Sequence, residues 1–411
     1  MPYQIKGASK NSIKARGQGG NGRKSAVYTE YMSILSAFPT PPSRLQRVFS
    51  GALKPGLVAL CVLGLLAGCA GTPPAPRLEP PVYPPAPDAA RFIYERTLRI
   101  NEDVEQLSGF ARWRELATGR GEEVKGLVKP YGVAARGGRV YVTDTAQRAV
   151  LLFDIAGKRF HQFGQSEPGR LQKPIGIALS PDNEIYVADV SARRVQVYGA
   201  DGKHHRTLGS DAELRRPSGV ALSPDGQRLY VVDVGGVDSE QHHVQVFNPR
   251  SGALLQTIGA RGTGNGQFNL PVQAATAPDG SLYVVDGGNF RIQVFAPDGG
   301  FRSAFGEVGR FPGQFARPKG IATDGEGTVY VADAAFGNVQ LFNPQGQILM
   351  YIGNRDESSK PGKFYLPAGV AVDETGRVYL ADQYFRKIDI FRPVSRAPDD
   401  WATTAPAAPA R

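Results

Sequence analysis

One unit of sequence, repeated six times, restricts what this chain can fold into. A proline followed by a short apolar run recurs at Pro130, Pro174, Pro217, Pro271, Pro318 and Pro367, with spacings of 44, 43, 54, 47 and 49 residues. Each copy continues into an alternating stretch that ends in aspartate, at Asp144, Asp189, Asp233, Asp286, Asp333 and Asp382. A third apolar stretch ends in an aromatic residue, at Phe153, Tyr198, Phe247, Phe295, Phe342 and Phe391. Five copies then close with a fourth stretch that stops at Gly164, Gly209, Gly259, Gly306 or Gly353. Reversals such as Asp324-Gly325-Glu326-Gly327 separate the stretches and carry tight-turn chemistry. Four short strands recurring every 40–50 residues or so make the blade of a β-propeller.

The sixth copy lacks its fourth strand, because Arg392-Pro393 and a Pro/Ala-rich tail follow its third. Left open, that blade would present an unpaired edge. The segment RFIYERTLRI, residues 91–100, lies just before the first copy and can supply the strand. The expected fold is therefore all-β. It is a six-bladed propeller of four-stranded antiparallel blades over residues 91–393, with the last blade closed by an N-terminal strand. A chain with 50 glycines and 32 prolines suits so many turns.

These residues resemble the NHL-repeat family of six-bladed β-propellers. The spacers at residues 262–268 (GTGNGQF), 309–315 (GRFPGQF) and 361–364 (PGKF) match the usual linker of that family. Copy three departs through an insertion at 235–243, and copy four at Val272-Gln273, where the other copies have glycine.

The N-terminal 68 residues read as a leader. Residues 1–31 carry Lys and Arg but one acid, Glu30, and Met32 is an alternative first residue. Arg44, Arg47 and Lys54 then precede an apolar run at 56–66, the order found in a secretory signal. That run has 11 residues, short of the ~20 needed to span a bilayer. Leu66-Ala67-Gly68-Cys69 resembles a bacterial lipobox, which implies cleavage before Cys69, acylation of its thiol and a membrane anchor. By resemblance to Gram-negative lipoproteins, Ala70 in place of Asp implies sorting to the outer membrane, facing the periplasm. Residues 69–90 would form a Pro-rich extended tether of roughly 60 Å. Residues 394–411 read as a disordered tail, and Asn101 to Leu116 as a short helix. The only cysteines are Cys61 and Cys69, so no disulfide is expected in the folded part.

Most of the net charge of +10 belongs to the leader. Removing nine of 48 basic residues and one of 38 acidic ones leaves a net +2, weak support for nucleic-acid binding.

Candidate chemistry gathers on the rim shared by the loops between blades and the turns after the six aspartates. The aspartates recur at one structural position and read as caps on backbone N–H groups. Arg148, Arg193, Arg291, Arg386, Lys387 and Tyr384 lie just past them. Lys319 approaches from the other loops, as do Lys129, Lys173, Arg216 and Arg317. Such a basic rim studded with aromatics suits a protein or an anionic envelope polymer as partner. The same arginines also read as internal ties to neighbouring carboxylates or carbonyls. The adjacent His242 and His243 point to opposite faces of a strand and do not form a ligand pair.

Related propellers that act as amidating lyases or lactonases bind metal with inward-facing side chains. Here all five histidines fall outside the innermost strands, which are small and apolar from residue 132 onward. The main expectation is a monomeric, non-catalytic, lipid-anchored envelope scaffold with no cofactor and no nucleic-acid partner. The alternative is a metal-dependent lyase or hydrolase.

Overall fold

The computed structural model describes residues 79–105, 113, 117–118, 123–236 and 238–401. The leader, Cys69 and the first part of the tether lie outside the described residues.

The described chain is a ring of six antiparallel blades. The first blade is formed by Pro130–Arg136, Arg139–Asp144, Ala149–Asp154 and Arg159–Phe163, hydrogen-bonded in sequence order. Four further blades repeat this order and begin with Pro174–Leu179, Pro217–Leu222, Pro271–Thr276 and Pro318–Thr323. Each innermost strand opens on its proline, where a missing N–H costs least. Apart from Arg139 at the start of the first, the second strands are buried along their length, which is why they read as almost unbroken apolar runs.

The sixth blade joins the two ends of the chain. Lys387–Pro393, its third strand, pairs antiparallel with Phe92–Leu98 in the register Phe92↔Pro393 to Leu98↔Ile388. The expected closing strand is thus in place. Phe92 packs into the apolar cluster between blades five and six, and Leu98 into the cluster between blades six and one. Four similar clusters fill the remaining gaps between blades, so the core is a set of wedges.

Two terminal expectations are corrected. Val82–Tyr83, within the expected free tether, adds a fifth strand outside Phe92–Leu98. Tyr83 packs edge-on against Phe391 at 5.6 Å, so apolar contact overrides the extended preference of the surrounding prolines. Residues 396–401, expected in a structureless tail, fold back over Arg377, which donates to the Ala397 and Asp400 carbonyls. The Arg377 guanidinium lies 4.2 Å from the centre of the Trp401 ring. Of the expected helix, the described residues include a 3-10 turn at Asn101–Asp103 and then Trp113; most of the rest falls outside them.

Five linkers are fixed by a recurring contact. Gly164, Gly209, Gly259, Gly306 and Gly353 all have φ between 79° and 86°. A Cβ there would strike Leu171, Leu214, Phe268, Phe315 or Phe364 at 2.3–2.5 Å. Each glycine therefore supplies both the left-handed backbone and the space for the apolar anchor of its linker.

Candidate binding face at the loop rim

The six aspartates that end the second strands are fully buried staples. Asp189 accepts from Gln172 N (2.5 Å) and Lys173 N (2.9 Å), just ahead of its own blade, and from Ser191 N (3.1 Å) and Ala192 N (3.0 Å) in the turn beyond. Asp144, Asp233, Asp333 and Asp382 repeat the arrangement. The sequence suggested turn caps. The carboxylates also tie the linker to the turn, which squares off the rim and occupies their lone pairs.

Four residues past five of the staples the chain turns through a left-handed residue: Arg148 (φ 56°), Arg193 (54°), Phe290 (56°), Gly337 (67°) and Arg386 (53°). Phe290 packs back against the apolar cluster between blades four and five, whereas the three arginines project from the blade. Arg148, Arg193 and Arg386 are exposed, as are Lys129, Lys173, Arg216 and Arg317 on the linkers. None of these seven forms an ion pair among the described residues.

The rim narrows inward to the axis of the ring. The residue after each proline lines its mouth: Tyr131, Ile175, Ser218, Val272, Lys319 and Ala368. Next comes a ring of glycines, 132, 176, 219, 320 and 369, at which neighbouring innermost strands nearly touch. A Cβ on Gly369 would sit 3.1 Å from Gly132 Cα, and one on Gly176 2.8 Å from Gly219 Cα. Blade four substitutes Gln273, whose Oε1 would lie 2.0 Å from a Cβ on Gly219. The free volume at this waist is about 10 Å³, room for one water. Beyond it the channel widens to about 200 Å³, walled mostly by Val, Ala, Ile, Leu and Thr, with Arg136 and Gln273 also on its lining.

Lys319 sits half-buried in the mouth, its Nζ 5.7 Å from the centre of the Tyr131 ring. Burial, then repulsion from Arg317 and Lys129, pushes its pKa down to about 8, with Asp382 opposing weakly. Burial raises the Tyr131 hydroxyl, while Arg317 and Arg216 pull it the other way. The sequence places Lys319 on this rim; Tyr131 and Ser218, at the same position in their blades, escaped because the innermost strands were read from residue 132 onward.

Other candidates are engaged inside the frame. Arg291 donates from Nε to Asp286 (2.9 Å) and from Nη2 to the Gly264 (2.7 Å) and Gln267 (3.1 Å) carbonyls, the internal tie that the sequence left open. Lys387, grouped with the rim because it follows Arg386, is fully buried. It is held by Asp389 (2.6 Å) and the Lys360 carbonyl (3.0 Å). Tyr384 is exposed in an aromatic patch, 4.5 Å from Tyr365 and 5.1 Å from Phe385, with Arg355 stacked 4.2 Å from Tyr365.

Among the described residues no three His, Cys, Asp or Glu side chains converge as a metal donor set. His242 is buried and bonded to Gly236 O at 2.8 Å and Leu270 N at 3.3 Å. His161, His204 and His205 lie on fourth strands, away from the axis.

Comparison with known proteins agrees on the fold. Residues 171–198, 214–247 and 268–295, within blades two, three and four, match the NHL repeat. A curated relative, the human E3 ubiquitin-protein ligase NHLRC1, is 30% identical over 92 residues, which span 21% of this chain and 23% of that protein. A structure of a protein of unknown function from Bacteroides thetaiotaomicron is similar with a TM-score of 0.52 at 20% identity, covering 65% of this chain and 70% of that one. A gluconolactonase from Xanthomonas campestris is similar with a TM-score of 0.51 at 19% identity, covering 65% and 86%. At this level of identity these likenesses carry the architecture alone.

Proposed function

We propose that this NHL-repeat propeller is a non-catalytic binding module of the bacterial cell envelope, tied to a membrane by lipid on Cys69. Its loop rim holds a protein or anionic polymer partner. The observation that carries the reading is the set of seven exposed cations on that rim with no acid partner among the described residues. Their neighbouring aspartates are saturated by backbone amides, so the outward charge is left for a ligand. The lipobox-like tetrapeptide supports the anchor.

The test is affinity capture from envelope extracts with the full chain, compared with an Arg148→Gln/Arg193→Gln/Arg386→Gln variant. The same partner should be retained by the parent and lost by the variant, with the two melting alike. Equal capture by both would refute the rim as the binding face.

A second reading, a metal-dependent lactonase or lyase, draws on the likeness to the gluconolactonase. It requires donors at the axis, where the polar lining is Arg136, Gln273, Thr276 and Thr323 and the described residues supply no cluster of His, Cys, Asp or Glu. Lactone hydrolysis that depends on added divalent metal, with stoichiometric metal on the protein, would establish it over the first.

A further inference from the structure

We infer that the axial mouth is a socket for a single carboxylate on a flexible stem, the side chain of a glutamate or aspartate presented by a protein partner, and that Lys319 is the residue that holds it. This deepens the rim-binding reading and rests on it.

A half-buried ammonium normally has a carboxylate beside it, because taking a charge from water is expensive without a partner. Lys319 has no hydrogen bond or ion pair among the described residues. The acid that acts on it, Asp382, is spent on the amides of Tyr365 (2.8 Å), Leu366 (3.0 Å) and Phe385 (2.8 Å). The other charges near the mouth, Lys129, Arg216 and Arg317, are all positive. The collar thus concentrates positive charge with the Tyr131 ring but no free carboxylate beside it, and an incoming anion is the missing partner. Gln273 adds to the socket: its Oε1 accepts from Ala274 N at 3.1 Å, while its amide N–H groups have no partner among the described residues.

Shape selects among anions. The waist has room for about one water, so a single carboxylate oxygen can reach into it but a ring cannot. A glutamate carboxylate stands on a slim methylene stem and can reach in while its backbone stays on the rim. A uronic acid bears its carboxylate one bond from a pyranose ring, which is far larger than the space at the waist. The exposed Lys129, Arg216 and Arg317 can then take further acidic side chains of the same partner.

The experiment uses the full chain and a labelled oligoglutamate peptide, read by fluorescence anisotropy, with oligogalacturonate as competitor and Lys319→Met as the variant. Lys319→Met should weaken the peptide by about tenfold or more, the loss of one charge-assisted contact. It should also raise the melting temperature, because it removes an unpaired cation. A Lys319 with a purely structural role would give the opposite thermal shift. The inference is overturned if the parent does not bind the peptide, if Lys319→Met binds it as the parent does, or if the variant melts lower. It is overturned equally if oligogalacturonate competes as well as glutamate. Binding lost in Arg148→Gln/Arg193→Gln/Arg386→Gln but kept in Lys319→Met would leave the rim reading standing and remove only the socket.

Discussion

Glu95 and Arg377 lie 282 residues apart in the chain and meet as a buried ion pair, Nε to Oε2 at 2.7 Å and Nη2 to Oε1 at 3.2 Å. Neither side chain is more than 3% exposed. Glu95 comes from the closing strand and Arg377 from the turn between the first two strands of blade six, so the pair fastens the two ends of the chain on the face opposite the rim. Removing one partner strands a buried charge, so Glu95→Ala should cost about 3–5 kcal/mol in urea unfolding. A Glu95→Leu/Arg377→Met double variant should recover much of that loss.

The closing strand should be separable from the ring. A chain that starts after Ile100 exposes the edge of Lys387–Pro393 and uncovers two apolar clusters. It should self-associate, as unpaired edges do. A synthetic peptide of residues 91–100 added in trans should restore the monomer, with sedimentation velocity as the readout.

Asp189 accepts four backbone N–H groups from a fully buried position. Asp189→Leu leaves those amides unpaired and should be among the most damaging single changes in blade two, at about 3 kcal/mol or more. Hydrogen exchange should show the loss concentrated at residues 172–173 and 191–192.

Glu184 accepts from Arg206 (2.7 Å), His205 (3.0 Å) and Tyr186 (2.9 Å). The Arg206 bonds lower its pKa most, burial opposes, and the result is about 2 in place of 4.5. A depressed folded pKa means that the folded state binds fewer protons, so this contribution is complete above about pH 4.5 and fades as pH falls towards 2. The stability gap between the parent and Glu184→Gln should therefore be flat at neutral pH and close within that window.

For Lys319 the sign differs. Its folded pKa is about 8 against 10.5, so the penalty it imposes is full below pH 8 and disappears as pH rises towards 10.5. The extra stability of Lys319→Met should shrink over the same range, as followed by melting temperature against pH.

The ring could be read from the sequence because the repeat appears six times and each copy states its strand ends with Pro, Asp and Gly. The closing strand was legible from a deficit, the missing partner of Lys387–Pro393. What escaped were residues whose role depends on a neighbouring blade. Lys387 looked like one more rim cation. Its burial could have been inferred from Asp389, which stands where four other blades carry Gln196, Gln245, Gln293 and Gln340. A lone acid in that column asks for a buried base. Trp401 looked like part of a polar tail because nothing local shows that Arg377 has a ring waiting for it. Arg291 and Arg148 read alike in sequence, yet only Arg291 has a glycine-rich linker folded within reach of its guanidinium.

Thr97 donates to Asp389 at 2.6 Å across 292 residues of chain. The closing strand leaves the ribosome before any of the six repeats and is thus the last to find its place. At ~5–20 residues per second, it waits for roughly 15–60 s with Phe92 and Leu98 uncovered. Through that interval the nascent polypeptide is a sticky filament with an idle hook at its front. Slow elongation, or a stall before Lys387 is made, would lengthen the period in which a chaperone has to shield it.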